Sequence, residues 1–265
     1  MDYNAIRLDR HGEVALITLN RPQTLNALSA DMRKELSNAT EQIQADDDIR
    51  VLVITGNGRG FSSGADLSGS VPGNRDLASQ NIRLDELSWM GRLAMEIYGL
   101  NKPTIAAMNG VAAGAGMSLA LACDMRVGSE NSRFKTVFLE RSLSPDTGMS
   151  FFLPRIVGYS RAADLIFTSR NVFAEEAYRI GLLDRIYPHE KLIEEAINLA
   201  KEMAFWPPMA LRSSKRVLQH NMTVGLEEAL RYESAGLDFA RNAPADRAES
   251  MKSFREKRPP KFTGK

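Results

Sequence analysis

Asp146 stands in the stretch Ser144-Pro145-Asp146-Thr147-Gly148, downstream of a glycine-alanine loop, Gly114-Ala115-Gly116. An earlier loop, Phe61-Ser62-Ser63-Gly64-Ala65-Asp66-Leu67, offers a second backbone donor of the kind that holds a developing oxyanion. Two fixed donors and one movable proton describe enolate chemistry. Taken alone, Asp146 also fits the N-cap of a helix running from Met149 to Ile156. Glu140 is the second nearby carboxylate, and with Arg141 beside it reads as an exposed ion pair. Cys123 reads as a small core residue, since no histidine lies near it in sequence. The three histidines, His11, His189 and His220, read as turn, loop and helix-end residues, and their spacing suits no metal.

The elements that must position these groups are legible in outline. Ala5-Ile6-Arg7-Leu8-Asp9, a His11-Gly12 turn and Val14 to Leu19 predict a hairpin. Ser29 is placed to cap a helix on which Met32, Leu36, Ala39 and Ile43 recur at helical spacing. Val51 to Thr55 is apolar on both faces, as a strand inside a layered α/β core is. A glycine-rich loop follows it. Residues 68 to 81 read as a mobile surface loop, before an amphipathic helix through Leu84, Leu87, Leu93 and Ile97. The strand-loop-helix pattern then repeats, with Thr104 to Met108 as strand and Gly114 to Ala122 as the start of a helix of small residues. Two such units aim their loop N–H groups at one place. Beyond about residue 160 four or five helical stretches follow, broken at Gly181, Pro188, Pro207-Pro208 and Pro244, with no competing strand pattern.

Composition bounds the function. The 265 residues are 43% apolar and 25% charged, enough for one large domain with or without a helical appendage. A net charge of +1, from 34 basic and 33 acidic side chains, provides no overall field for nucleic acid or an anionic membrane. One cysteine excludes an internal disulfide framework. The first residues lack the apolar core of a signal peptide, and no run is long enough to span a bilayer, so a soluble cytoplasmic protein is expected.

These residues also carry a resemblance. Asn20-Arg21-Pro22 with Leu25-Asn26-Ala27-Leu28, then Gly60 to Leu67, then Asn109-Gly110-Val111-Ala112-Ala113-Gly114-Ala115-Gly116, then Cys123-Asp124, resemble in this order the crotonase superfamily of acyl-CoA enzymes. A Gly-Ala-Gly loop alone is often only tight packing. Four motifs in register, with similarity continuing into the tail Glu256 to Lys265, are specific. The resemblance implies a crotonase-like stack of ββα units with a C-terminal helical trimerisation region. It implies coenzyme A as part of the substrate, no permanently bound cofactor and no metal. By motif position the backbone N–H groups of Ala65 and Ala115 form the oxyanion hole, with Ser63, Asp66 and Leu67 of the first loop and Phe138 lining the substrate site.

The departures from the family pattern point to the reaction. Hydratases of the superfamily activate water with two glutamates, and the matching positions here are Ser118 and Phe138. Neither is a general base, so hydration is disfavoured. Asp146 matches a position that carries a carboxylate in the double-bond isomerases. The string Phe138 to Gly148 most resembles the 1,2-epoxyphenylacetyl-CoA isomerase and Δ3,Δ2-enoyl-CoA isomerase branch. The implied activity is isomerisation of an acyl-CoA double bond or ring epoxide, with one base moving the proton. Phe138 and Leu143 are expected to wall the carboxyl off from water and raise its pKa. The alternatives are an enoyl-CoA hydratase, a 4-chlorobenzoyl-CoA dehalogenase and a catalytically silent acyl-CoA-binding subunit. The dehalogenase also needs a histidine and a tryptophan, and this chain has no histidine near the motifs and Phe138 where the tryptophan would stand.

Coenzyme A is less well marked. Lys261 and Phe262 offer a charge and an adenine-stacking face, delivered to a neighbouring subunit; the plain reading of a basic tail is a solvated one. Thr24 and Leu25 match positions lining the nucleotide part of the cleft, and residues 68 to 100 are expected to line the acyl pocket. Trp206-Pro207-Pro208 reads as a helix break with a buried aromatic. The division expected is a core over 1–195 and a helical region over 196–265. In that region Leu211, Val217, Leu218, Leu226, Leu230, Leu237 and Phe239 exceed what one thin layer buries, which predicts a homotrimer or hexamer.

Overall fold

The computed structural model describes residues 3–68 and 84–265. Nearly all of the loop expected over 68 to 81 lies outside them. Two sheets form the framework. The larger has strand order β1-β2-β3-β5-β7-β10, built from Ile6–His11, Val14–Leu19, Val51–Gly56, Thr104–Met108, Met125–Ser129 and Arg185–Tyr187. The smaller has order β4-β6-β8-β9, from Gly60–Ser62, Val111–Ala113, Arg133–Lys135 and Val172–Phe173. β1 and β2 form the antiparallel hairpin expected from the sequence, and β2, β3, β5, β7 and β10 run parallel. Each of β3, β5 and β7 passes through a tight turn into a short strand of the second sheet. The chain is therefore a spiral of ββ units, and helices fill its flanks.

Period-two alternation explains why the larger sheet is buried on both sides. Ile17, Leu52, Ile54 and Ala106 face one core with α1 (Ala30–Ala45) and α3 (Ala115–Leu121). Val14, Leu16, Val51, Val53, Ile105 and Val127 face a second, smaller core closed by Leu192, Ala196, Leu199 and Ala200 of the helix Leu192–Ala204. That helix spans residue 195 and packs on the sheet. α1 has the expected buried stripe Met32, Leu36, Ala39 and Ile43, and the Ser29 hydroxyl accepts from Met32 N at 3.2 Å as its cap.

Three local expectations are corrected. The second helix, α2, spans Ser88–Tyr98, so Leu84 and Leu87 precede it and are exposed. Two strands, β9 and β10, do occur beyond residue 160; at two and three residues they are too short to show a period. Trp206 is 56% exposed and pairs edge-on with Phe205 at the end of Leu192–Ala204, because the helix breaks before either ring turns inward.

The remaining helices are α4 (Met149–Val157), α5 (Tyr159–Thr168), α6 (Ala174–Arg179), α7 (Leu192–Ala204), α8 (Pro208–Asn221), α9 (Leu226–Ala240) and α10 (Pro244–Glu256). α8 is fastened to the sheet by the buried Lys215, whose Nζ lies 2.8 Å from Asp124 Oδ2 and donates to Lys102 O at 3.0 Å. α9 has no buried residue, and Leu226, Leu230 and Leu237 on it are more than half exposed.

Candidate active site

The loop Phe61 to Leu67 is held along its length by the segment before α1. Ser63 N donates to Leu25 O and Ser63 Oγ to Thr24 O, both at 2.9 Å; Ser62 Oγ donates to Asn26 O at 2.8 Å. Leu28 N donates to Gly64 O at 2.8 Å, and Leu28 and Ala65 pair as a parallel bridge. Thr24, Leu25 and Ser63 are thus brought together. The buried Asn26 completes the clamp, taking Arg21 N on Oδ1 at 2.8 Å and giving Nδ2 to Asn57 O and Gly60 O at 2.9 and 2.8 Å. Asn109 grips the same turn from the other side, through Gly58 O at 2.8 Å. The two asparagines satisfy buried backbone that a strand-to-strand turn leaves open, a role their motif positions alone do not disclose.

Two glycines let this loop meet the start of α3 backbone to backbone. Gly64 has φ +97°, and a Cβ on it would lie 2.7 Å from Ala113 O and 3.4 Å from Ala115 N. A Cβ on Gly116 would lie 2.4 Å from Ser62 O. Ala115 is the first residue of α3, so its N–H has no intrahelical acceptor. Among the described residues neither this N–H nor that of Ala65 has a backbone acceptor. Two open donors on adjoining loops are the arrangement an oxyanion requires.

The carboxylate arrives from a third segment. Asp146 is half-buried, and burial pushes its pKa up, opposed by a hydrogen bond from Thr147 Oγ1 to Oδ1 at 2.9 Å. It is not a helix cap: the N-cap of α4 is Gly148, and only the Asp146 carbonyl accepts from Met149 N, at 2.9 Å. That carbonyl also accepts from Ser118 Oγ on α3 at 3.2 Å, so the carboxylate loop is tied to the helix that carries the Ala115 donor. Thr147 is buried with φ +51°, a conformation that costs a β-branched residue about 1–2 kcal/mol. Strain of this kind is retained where the surroundings hold it.

Phe138 is buried at 4% exposure, in the same core as Ala115, Met149 and Phe152. Leu143 does not share the wall expected of it. It is 53% exposed, because Leu143 N closes a tight turn on Phe138 O at 3.0 Å and leaves the side chain outside. Glu140 pairs with Lys135 at 2.6 Å and not with its neighbour Arg141, since adjacent residues of a 3-10 turn point apart. Asp66 is bound by Ser68 and by Arg21, 2.6 Å away, which hold its pKa down to about 2; it stays ionised and carries no proton near neutrality. Leu67 beside it is 56% exposed. Cys123 is buried, and its thiol is pushed up to about 12, which suits a core residue. Among the described residues no group of His, Cys, Asp and Glu could hold a metal ion, and no helix is long and apolar enough to cross a membrane.

The tail does not reach Asp146 of its own chain. Phe262 O accepts from Arg50 Nη2 at 2.6 Å, Lys261 N donates to Glu249 Oε1 at 2.8 Å, and Asp246 takes Thr263 N and Gly264 N at 2.6 and 2.8 Å. Arg50 precedes β3, whereas the oxyanion loop follows its far end, a strand length of about 20 Å away. Leu25 lines a cavity of about 380 Å³ that sequence reading missed, with Arg59, Val111, Arg133 and Phe173 on its wall. Of the described residues within 68 to 100, Tyr98 lines a mostly apolar cavity of about 500 Å³ with Phe151, Phe152 and Leu211.

The spiral of ββα units with helices on its flanks is the crotonase class of fold. A profile of the enoyl-CoA hydratase/isomerase family matches residues 9–265, and the chain belongs to this family. It is 38% identical over 255 residues to a protein of Mycobacterium bovis described as a probable enoyl-CoA hydratase, covering 95% of this chain and 90% of the other. The fold superposes on an enoyl-CoA hydratase of Bacillus anthracis with a TM-score of 0.89 at 31% identity, covering 99% and 100% of the two chains. A monofunctional enoyl-CoA isomerase of M. smegmatis matches at TM-score 0.73 and 33% identity, over 85% of this chain and 98% of that one. Hydratase is the more frequent name among such relatives.

Proposed function

We propose that the protein isomerises an acyl-CoA double bond, or a ring epoxide of an aromatic acyl-CoA, through an enolate held by the Ala65 and Ala115 N–H groups, with Asp146 as single acid and base. The observation that carries this reading is the half-buried carboxyl of Asp146, raised in pKa by burial, on a loop whose carbonyl is tied to Ser118 of the helix that Ala115 begins. In a 3-enoyl thioester the Asp146 carboxylate takes the C2 proton, the C–H electron pair enters the dienolate, and the same carboxyl returns the proton at C4. The second reading is hydration, favoured by the names of the relatives. It lacks its machinery here, because Ser118 and Phe138 are both buried and neither ionises.

One assay separates the readings. With 3-hexenoyl-CoA the conjugated 2-enoyl thioester should appear, while 2-enoyl-CoA offered as substrate should persist. Rapid conversion of 2-enoyl-CoA to a 3-hydroxyacyl product would establish hydration and sink the isomerase assignment.

The cavity beside Leu25 is the candidate for the nucleotide end of coenzyme A: Arg59 and Arg133 outnumber the one carboxylate there, Glu130, and offer charge to phosphates, and Phe173 offers an exposed face to adenine. The exposed leucines of α9 favour burial between copies, as a trimer or a pair of trimers, with Lys261 and Phe262 serving a neighbour's site. Light scattering is then expected at three or six times 29.4 kDa. In that assembly Lys261→Ala should raise KM for the thioester more than it lowers kcat. A monomer with full turnover would refute the shared site.

A further inference from the structure

We propose that Thr147 is a positioning residue: its hydroxyl holds Oδ1 of Asp146, so that Oδ2 alone carries the migrating proton. This rests on the isomerase reading above and assigns the two oxygens of its one carboxyl different tasks. Thr147 Oγ1 donates to Oδ1 at 2.9 Å, and among the described residues no donor reaches Oδ2. The backbone is held as well. The Asp146 carbonyl takes both Ser118 Oγ and Met149 N, which leaves the turning of the side chain about its two torsions as the remaining freedom. The Thr147 hydroxyl removes it.

The proton count is consistent. In the resting state Oδ1 and Oδ2 share the negative charge and Oδ1 accepts from Thr147. When Oδ2 takes the C2 proton, Oδ1 becomes the carbonyl oxygen of a carboxylic acid and still accepts the same bond. Oδ2–H then delivers to C4, and the charge returns. C2 and C4 flank a single carbon, so one oxygen serves both with a small swing. A carboxyl free to flip would present either oxygen, half the time with the proton turned away.

Among the described residues no charged side chain is hydrogen-bonded or ion-paired to the Asp146 carboxyl. α3 contains none, Glu140 is paired with Lys135, and Arg155 of α4 lies over the Phe151 ring at 3.7 Å. Burial and Thr147 are the influences on the carboxyl, acting in opposite directions. Thr147 is also buried in a left-handed conformation that asparagine or glycine would occupy with less strain.

The test compares Thr147→Val, which keeps the shape and removes the donor, with Thr147→Ser, which keeps the donor. Thr147→Val should lower kcat roughly tenfold, the scale of a lost hydrogen bond to a charged group. Its acid limb in kcat/KM should move to higher pH, because the bond that favours the carboxylate is gone. Thr147→Ser should restore both. An unmoved acid limb in Thr147→Val, or a serine variant as impaired as the valine one, would overturn the proposal. Carbon-13 NMR titration of labelled aspartate in the wild type and Thr147→Val reads the same displacement without turnover. If the wild type isomerised nothing, the functional reading would fall, and an unchanged titration would still remove Thr147 from its role.

Discussion

Asp146→Asn is expected to lower isomerisation of a 3-enoyl-CoA by roughly a hundred to ten thousand fold, the range of a lost general acid and base. Binding of the thioester should persist, since the amide donors and the cavity beside Leu25 are untouched. The variant should also be at least as stable as the wild type at neutral pH. Burial raises the folded-state pKa of Asp146, so the protonated form is the one that folding favours. The stability this brings is present below the unfolded pKa and is lost as pH rises through the folded one. Asparagine keeps the neutral form at every pH and still accepts from Thr147. A functional carboxylate kept ionised in a half-buried site is therefore a standing cost, of the kind enzymes carry where activity requires it. By the same sign, the acid limb of wild-type turnover should lie at a higher pH than an exposed aspartate would give. Thermal melts and pH-rate profiles on the pair check all three statements, and near-normal turnover of the asparagine variant would end the mechanism.

Gly64→Ala should be nearly as damaging, without changing any reactive group. Its φ of +97° strains alanine, and the added methyl would stand 2.7 Å from Ala113 O, between the loops that carry the two donors. The oxyanion loop has to lift away from α3, taking the Ala65 N–H with it. Loss of one such donor costs on the order of a hundred to a thousand fold in kcat. Turnover should suffer more than KM, because the donors act chiefly on the charge of the enolate. A folded Gly64→Ala protein with kcat within about threefold of wild type would show that Ala65 is not a donor, the threshold being well inside the loss just given.

Particular residues show how far sequence reaches. The apolar runs Val51 to Thr55 and Thr104 to Met108 announced strands because an unbroken apolar run of strand length is a property of the local chain. Short β9 and β10 were not legible, since two or three residues carry no period and pair only because a partner edge is waiting. Leu143 and Trp206 were misjudged for a related reason. Apolar type gives a preference for burial, and a turn closed by one backbone bond can override it at a single position.

The residue types of the site were fixed by chemistry that the chain states outright. Glycine stands where backbone must approach backbone, serine and phenylalanine stand at two positions where the family resemblance implies a hydratase's acids, and one aspartate follows them. What the tertiary structure alone decided is how that aspartate behaves. Its burial and the tie of its carbonyl to Ser118, 28 residues earlier, depend on which segments the spiral stacks together. So does the path of the tail, whose Phe262 carbonyl meets Arg50 across 212 residues at the end of the sheet remote from the oxyanion loops. A pKa or a hydrogen-bond partner is set by distance in space, and local sequence records distance only along the chain.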